Sequence, residues 1–340
     1  MSISPILILG GTGQIGRYTI QALRKRHPEA PLLIGSRNRQ KAYQAASELD
    51  HAEGIAIDPY ADDLGVGDRS IAAVAVLYSD HRLASLRYAH ARGIPHLGIS
   101  TGLYEVAPEM AIHMQRPDAA AVVLGYEWLV GATTIATLTA AKTYARIDGI
   151  RIGALIDEED WGGPAVAEDF ERFASVISSV FARRNGAFVW RKGGNANFKF
   201  QAIDGAELTA VGFSTIDIAG LAATTGARDV EFGIGTGISS SRRAGGEKST
   251  EIIIELSGVG EAGTPQRTRH AVFHPGGAAP LTGLGISMVL ERLAGLDGEP
   301  ATKAGLFFPY QIINHAEYLN RLTREGGRLL SLPLAYEGET

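Results

Sequence analysis

Residues 6–20, ILILGGTGQIGRYTI, run from a solid apolar block through three spaced glycines into a helix-like pattern. The block 6–9 shows no polar alternation, which suits a strand buried on both faces, as in a parallel sheet. Gly10, Gly13 and Gly16 stand three apart. Gly10 allows a tight turn, Gly13 lets a ligand reach the backbone, and Gly16 lets the next helix lie close to the sheet. A helix starting near Gln14 aims free N–H groups and its positive dipole end at the turn, which suits a pyrophosphate. The spacing is G-x-x-G-x-x-G rather than G-x-G-x-x-G, so the turn takes its meaning from its surroundings.

Those surroundings repeat one unit. Ile15, Thr19, Ile20 and Leu23 recur at helical spacing, and Arg24, Lys25 and Arg26 suit the last turn of that helix. A second apolar strand at 31–34 ends in GSRNRQK, and a helix is expected from about Asn38 to Leu49. GIAID, ending at Asp58, supplies a third strand, and IAAVAVLY (71–78) a fourth. A helix carrying Leu83, Leu86 and Ala89 precedes IPHLGIS (94–100), and AAAVVLG (119–125) is the sixth strand. Strands alternating with helices predict an α/β fold, a Rossmann doubly wound parallel sheet with its strand C-ends on one edge. In that context the glycine turn reads as a dinucleotide site.

A carboxylate about 20 residues past the glycines would bind the ribose 2′-hydroxyl of NAD. Ser36 stands there instead, followed by Arg37, Arg39 and Lys41. An arginine fork grips a 2′-phosphate, whereas a carboxylate repels one, so NADP(H) is expected ahead of NAD(H). The expected cofactor contacts are Gly10, Thr12, Gly13, Gln14, Ile15, Ser36, Arg37, Leu77, Tyr78, Ser100 and Thr101.

At 340 residues the chain exceeds what one core usually holds, and the rhythm changes after Gly125. ATTIATLTAAKTYA (132–145) reads as a helix, DGIRIGALIDE (148–158) as a strand, and about 165–183 as another helix. From Ala187 to His274 the segments AFVW, ANFKFQAI, ELTAVGF, RDVEFGIGTG, EIIIELSGVG and QRTRHAVFH are strand-like, which predicts an inserted α+β mixed-sheet domain. SSSRRAGGEK (239–248) reads as a mobile loop. Helical patterns return at 281–296 and at HAEYLNRLTREGG. The expected domains are 1–128, binding dinucleotide; 129–278, for substrate and dimerisation; and 279–340, returning to the first.

Composition excludes several classes. Cysteine is absent, so disulfides, thiolate zinc sites and a cysteine nucleophile are ruled out, and a cytoplasmic enzyme is expected. A net charge of −5 gives no electrostatic reason to bind nucleic acid or an anionic membrane. No apolar run approaches the roughly 18 residues of a membrane span, and the first residues lack a signal peptide's basic region. No tyrosine is followed four positions later by lysine, so the proton donor of short-chain dehydrogenases is missing. His270 and His274 share a face but lack a nearby carboxylate in sequence, and no metal is expected.

The segments ILGGTGQIGR, IGSRNRQKA, YAHARGIPHLGIST, VFHPGGAAPLTGLGISMVLERL and AGLFFPYQI resemble the saccharopine dehydrogenase-like (saccharopine reductase) oxidoreductases. The resemblance covers the first domain and the late return, while 150–250 matches only loosely. It implies NAD(P)-linked interconversion of secondary amines and imines, and a mixed-sheet domain that dimerises. Two departures lie near the expected nicotinamide: Gly98 stands where the family has aspartate, and GYEWLVGA replaces a Pro-Gly loop.

Imine reduction asks the protein to hold the hydride near the imine carbon and to manage one proton. Glu127, Tyr126 and Tyr104, beyond the late strand ends, are the expected catalytic residues, against plain surface or packing roles. Arg183, Arg184 and Arg191 are weaker candidates to clamp a substrate carboxylate. Two other functions stay open: an NADP-binding sensor without catalysis, and a reductase of an activated C=C bond. A homodimer is expected because Ile252, Ile253 and Ile254 make a strand apolar on both faces.

Overall fold

Every apolar block of the first third becomes a strand, and nearly every strand feeds a helix. The computed structural model describes residues 4–99, 102–160, 162–176 and 178–334. The chain begins β1 (Ile6–Leu9), α1 (Gln14–Arg26), β2 (Leu32–Ser36), α2 (Arg39–Ser47) and β3 (Ala52–Ala56). It continues through β4 (Ala73–Val76), α3 (Ala84–Arg92), β5 (His96–Gly98), α4 (Val106–His113) and β6 (Ala121–Leu124). Next come α5 (Ala132–Ala141), β7 (Tyr144–Asp157), α6 (Pro164–Val176), β8 (Ser179–Arg184) and β9 (Ala187–Lys192). β10 (Phe198–Gln201), β11 (Glu207–Gly212), α7 (Asp217–Thr225), β12 (Asp229–Gly237) and α8 (Ser240–Arg243) follow. β13 (Thr250–Gly260), β14 (Pro265–His274), α9 (Ala278–Leu293) and β15 (Gly305–Phe307) lead to α10 (Pro309–Ile312), α11 (His315–Arg324) and β16 (Arg328–Leu332).

The chain divides into two units. The first holds the described residues up to Tyr126, with 163–165 and 282–314. Its sheet runs β15-β6-β5-β4-β1-β2-β3, every pair parallel. Leu7, Leu9, Leu33, Val74 and Val76 pack on Tyr88 and Ala89 of α3, burying one face as a fully apolar strand requires. The later part of α9 lies close on α1: a Cβ on Gly283 would stand 2.6 Å from Tyr18 Cβ.

The second unit holds 127–162, 166–281 and the described residues from His315 onward. Its sheet is mixed, in the order β10-β11-β12-β7-β13-β14-β16, with β12 and β7 parallel. β8 pairs with β12 and β9 off that path. Gly153, Gly233 and Gly235 leave a shallow trough in β7 and β12. Phe198 and Phe200 of β10 fill it: a Cβ on Gly153 would stand 2.6 Å from the Phe200 ring, and one on Gly233 2.8 Å from Phe198. The opposite face meets α5 and α7. Ile252, Ile253 and Ile254 are therefore 1% exposed or less within one chain, so these three residues do not supply the uncovered face from which a dimer was expected.

Four expectations for this half need correction. The helix expected over 165–183 ends at Val176, and β8 begins at Ser179. The cause is a hairpin. Asn185 (φ +50°) and Gly186 (φ +82°) form the two-residue loop between Arg184 and Ala187, the left-handed pair that a tight hairpin favours. The helix from 132 stops at Ala141, because Tyr144 already enters β7. α7 was not expected at all. The supposed mobile loop 239–248 contains α8, held by Arg242 on Asp157 at 2.8 Å and Arg243 on Asp204 at 2.6 Å. No helix among the described residues is long and apolar enough to cross a membrane.

Candidate active site

The strand order of the parallel sheet reverses between β1 and β4, and ligands of such sheets bind outside the strand C-ends at that point. Gly10 leaves β1 at φ +85°, a conformation that side chains resist. A Cβ there would stand 3.2 Å from Tyr78 Cδ1 and 3.4 Å from Leu77 Cβ, so the glycine turn and the end of β4 share one wall. A Cβ on Gly16 would lie 2.6 Å from the Gly11 backbone, so α1 reaches the sheet only where that side chain is missing. At Gly13 only the Gly10 carbonyl oxygen, 3.3 Å away, would meet a Cβ, and the outer side is exposed.

Gly13 is also the N-cap of α1, and no side chain caps that helix. The N–H groups of Gln14 and Ile15 thus leave the turn with no helical acceptor, beside half-buried Thr12. An exposed backbone, free donors and a positive dipole end fit a pyrophosphate.

The end of β2 sets the second half of the cradle. Ser36 Oγ accepts from the Asn38 N–H at 3.2 Å, and Asn38 Oδ1 caps α2 through the Lys41 N–H at 3.0 Å. The Arg39 guanidinium lies along its own helix, 5.3 Å over the Tyr43 ring. Arg37 is exposed and makes no ion pair among the described residues. Its charge opposes the rise of the Tyr78 phenol, which burial and Asp80 push up to about 12. Ser100 and Thr101 lie outside the described residues, as does the Tyr104 side chain.

Along the same edge, β5 and β6 end together, the Gly125 N–H donating to the Gly98 carbonyl at 2.7 Å. Tyr126, directly after, is buried and hydrogen-bonds Glu109 of α4. Burial, against that hydrogen bond and with the charges of Asp80 and Glu105, pushes the Glu109 carboxyl up to about 7. Burial first, then Glu109, pushes the Tyr126 phenol far up, so it stays a donor. His96, on β5, lies 3.0 Å from Ser85 Oγ, which donates to Asp80 Oδ2 at 2.7 Å. The serine proton being committed, His96 Nε2 carries the hydrogen of its contact. Burial pushes the imidazole down to about 4, so it is neutral at ordinary pH.

No protein-family model matches the chain, and no curated protein sequence does. Among solved structures, saccharopine dehydrogenase (L-Glu forming) from Saccharomyces cerevisiae is similar at a TM-score of 0.63 and 12% identity, over 98% of this chain and 100% of that one. Amine dehydrogenase from Mycobacterium smegmatis is similar at 0.52 and 14%, over 92% and 96%. This chain has their fold. The resemblance read from the sequence thus holds at the level of architecture: a Rossmann-like parallel sheet with a mixed-sheet second domain.

Within that saccharopine dehydrogenase-like fold, the unit boundary falls between two of the expected catalytic residues. Tyr126 joins Glu109 in the first unit. Glu127 opens the second unit, 4% exposed rather than on the surface, with its charge felt by buried Tyr318. The arginines expected to clamp a substrate carboxylate are occupied from within. Glu231 accepts from Arg151 at 2.7 Å and Arg191 at 3.0 Å, and from Arg184. Arg183 donates to the Ala222 carbonyl at 3.1 Å. His274 Nδ1 accepts from the Gly276 N–H at 3.0 Å, and no cluster of metal-ligating side chains occurs among the described residues. Sequence reasoning missed Glu109 and His96. The available signal was a lone acid, Glu109, in the otherwise apolar helical run VAPEMAI.

Proposed function

We propose that the protein is an NADP-dependent oxidoreductase that transfers hydride to or from a C–N bond of a small, amino-acid-like substrate. The observation that carries this reading is the cradle at the strand-order reversal. It combines an uncapped helix N-terminus behind an exposed Gly13 with an uncommitted Arg37 directly after Ser36, the residue that stands where NAD enzymes place a carboxylate. When bound, a nicotinamide supplies the hydride. The protein's own share is to hold the pyrophosphate on the N–H groups of α1, seat the 2′-phosphate against Arg37, and manage a proton. The fold shared with the saccharopine and amine dehydrogenases supports chemistry at a C–N bond.

Titrating NADPH and NADH against the wild type and Arg37→Ala tests the cofactor assignment. One charge-assisted bidentate contact contributes about 1.5–3 kcal/mol, or roughly ten- to a hundredfold in affinity. The wild type is expected to prefer NADPH by that factor, and the variant to lose the preference while binding NADH as before. Equal affinities in the wild type would sink the assignment.

A further inference from the structure

We propose that Glu109 is the acid–base residue of this site, that Tyr126 positions it, and that the pair serves the nitrogen of a C=N substrate. The proposal rests on reading the protein as a C–N oxidoreductase. Its ground is placement. Glu109 is 5% exposed, yet its Oε2 has no hydrogen-bond partner among the described residues. A buried carboxyl oxygen left without a donor is expensive unless a ligand or water completes it. The carboxyl group lies over Gly98, whose Cβ position is 3.2 Å from Oε1 and 3.6 Å from Oε2. Gly98 ends β5 and Tyr126 follows β6, so the pair stands at the strand C-ends, the edge where a doubly wound sheet meets its ligands.

The surroundings suit a proton rather than an anion. Tyr126 faces Glu109 from beyond β6, Glu105 from the turn before α4, Asp80 from the segment between β4 and α3, and His96 from β5. Two of these are acids, one is a phenol, and His96 brings no positive charge. Burial and the two acids hold the Glu109 carboxyl at about 7, the range in which one group can both give and take a proton. As hydride reaches the imine carbon, the C=N electron pair moves to nitrogen and the Glu109 proton follows it. The carboxylate left behind keeps the Tyr126 hydrogen bond and regains its proton from solvent. Amine oxidation runs the same transfers backwards.

The test uses NADPH with two small cyclic imines, 1-pyrroline and 1-piperideine, from pH 5 to 9. Wild-type rates should fall about tenfold per pH unit above about 7, as the acid form is lost. Glu109→Gln should lower the rate at pH 6 at least about a hundredfold, leave NADPH affinity unchanged and abolish the pH limb. Glu109→Asp should restore part of the rate together with the limb. Tyr126→Phe removes a hydrogen bond that favours the carboxylate, so it should move the limb to higher pH. In the unliganded protein, one carbon-13 carboxyl resonance of labelled glutamate should titrate near pH 7 and vanish in Glu109→Gln. An unimpaired Glu109→Gln enzyme, or a Glu109 resonance titrating near pH 4, overturns the assignment and leaves the C–N reading standing. Tight NADPH binding with neither imine reduced by the wild type overturns both.

Discussion

Gly98 shows how much one missing side chain can arrange. The resemblance implies an aspartate there, and its absence marks the place where the site differs. What the absence makes room for is visible only in three dimensions: Glu109 from α4 and the His96 ring both close over Gly98. These two neighbours pull stability in opposite directions with pH. The Glu109 carboxyl is raised from 4.5 to about 7, so its contribution is complete below about pH 4.5 and is lost as pH rises through about 7. The His96 imidazole is lowered from 6.5 to about 4, so its contribution is complete above about pH 6.5 and is lost as pH falls through about 4. Each window spans about 3 kcal/mol, so the two nearly offset in the wild type. Glu109→Gln removes one side of that balance. Relative to the wild type, the variant should gain about 3 kcal/mol between pH 4.5 and 8 in urea unfolding. Parallel pH profiles for the two proteins would refute the burial argument for Glu109.

At the level of elements, the first unit was legible because each of its signals was local. A solid apolar run, a glycine turn and a helical repeat each lie within about fifteen residues, and β1, α1 and the later parallel strands follow from them. The second unit was legible as strands but not as an arrangement. The Asn185-Gly186 hairpin was a local signal that helical periodicity overrode. α7 is different. Its first residue, Asp217, is fully buried and accepts from the Trp128 N–H and the Thr134 hydroxyl, both at 2.8 Å, partners more than eighty positions away. The packing of β10 onto the glycine trough is equally non-local, since Phe200 meets residues about fifty positions earlier and thirty-five later. That contact should dominate the stability of this face. Phe200→Ala leaves a void walled by glycines, which have no side chains to move into it, and should cost about 3–5 kcal/mol in urea unfolding. A loss below about 1 kcal/mol would show that the trough is sealed by something else.

For the whole molecule, the proposed homodimer needs a different surface from the one the sequence suggested. Phe188 (52% exposed) and Trp190 (56%) stand on β9 against Phe181, Phe188 stacked on it and Trp190 tilted to it, and among the described residues the strand pairs along one side only. A stable interface buries upwards of about 1,200 Å², and this strip offers it an apolar centre. Light scattering should give twice the 36.0 kDa of one chain, falling to a single chain in Phe188→Ser/Trp190→Ser. A wild-type mass near 36.0 kDa that persists on concentrating excludes the dimer. The pairing of β15 with β6 has a consequence during synthesis. β6 leaves the ribosome about 180 residues before Gly305, which at about 5–20 residues per second is roughly 10–40 s. Throughout that interval the apolar strand Ala121–Leu124 presents an open hydrogen-bonding edge, a template on which another nascent copy can add.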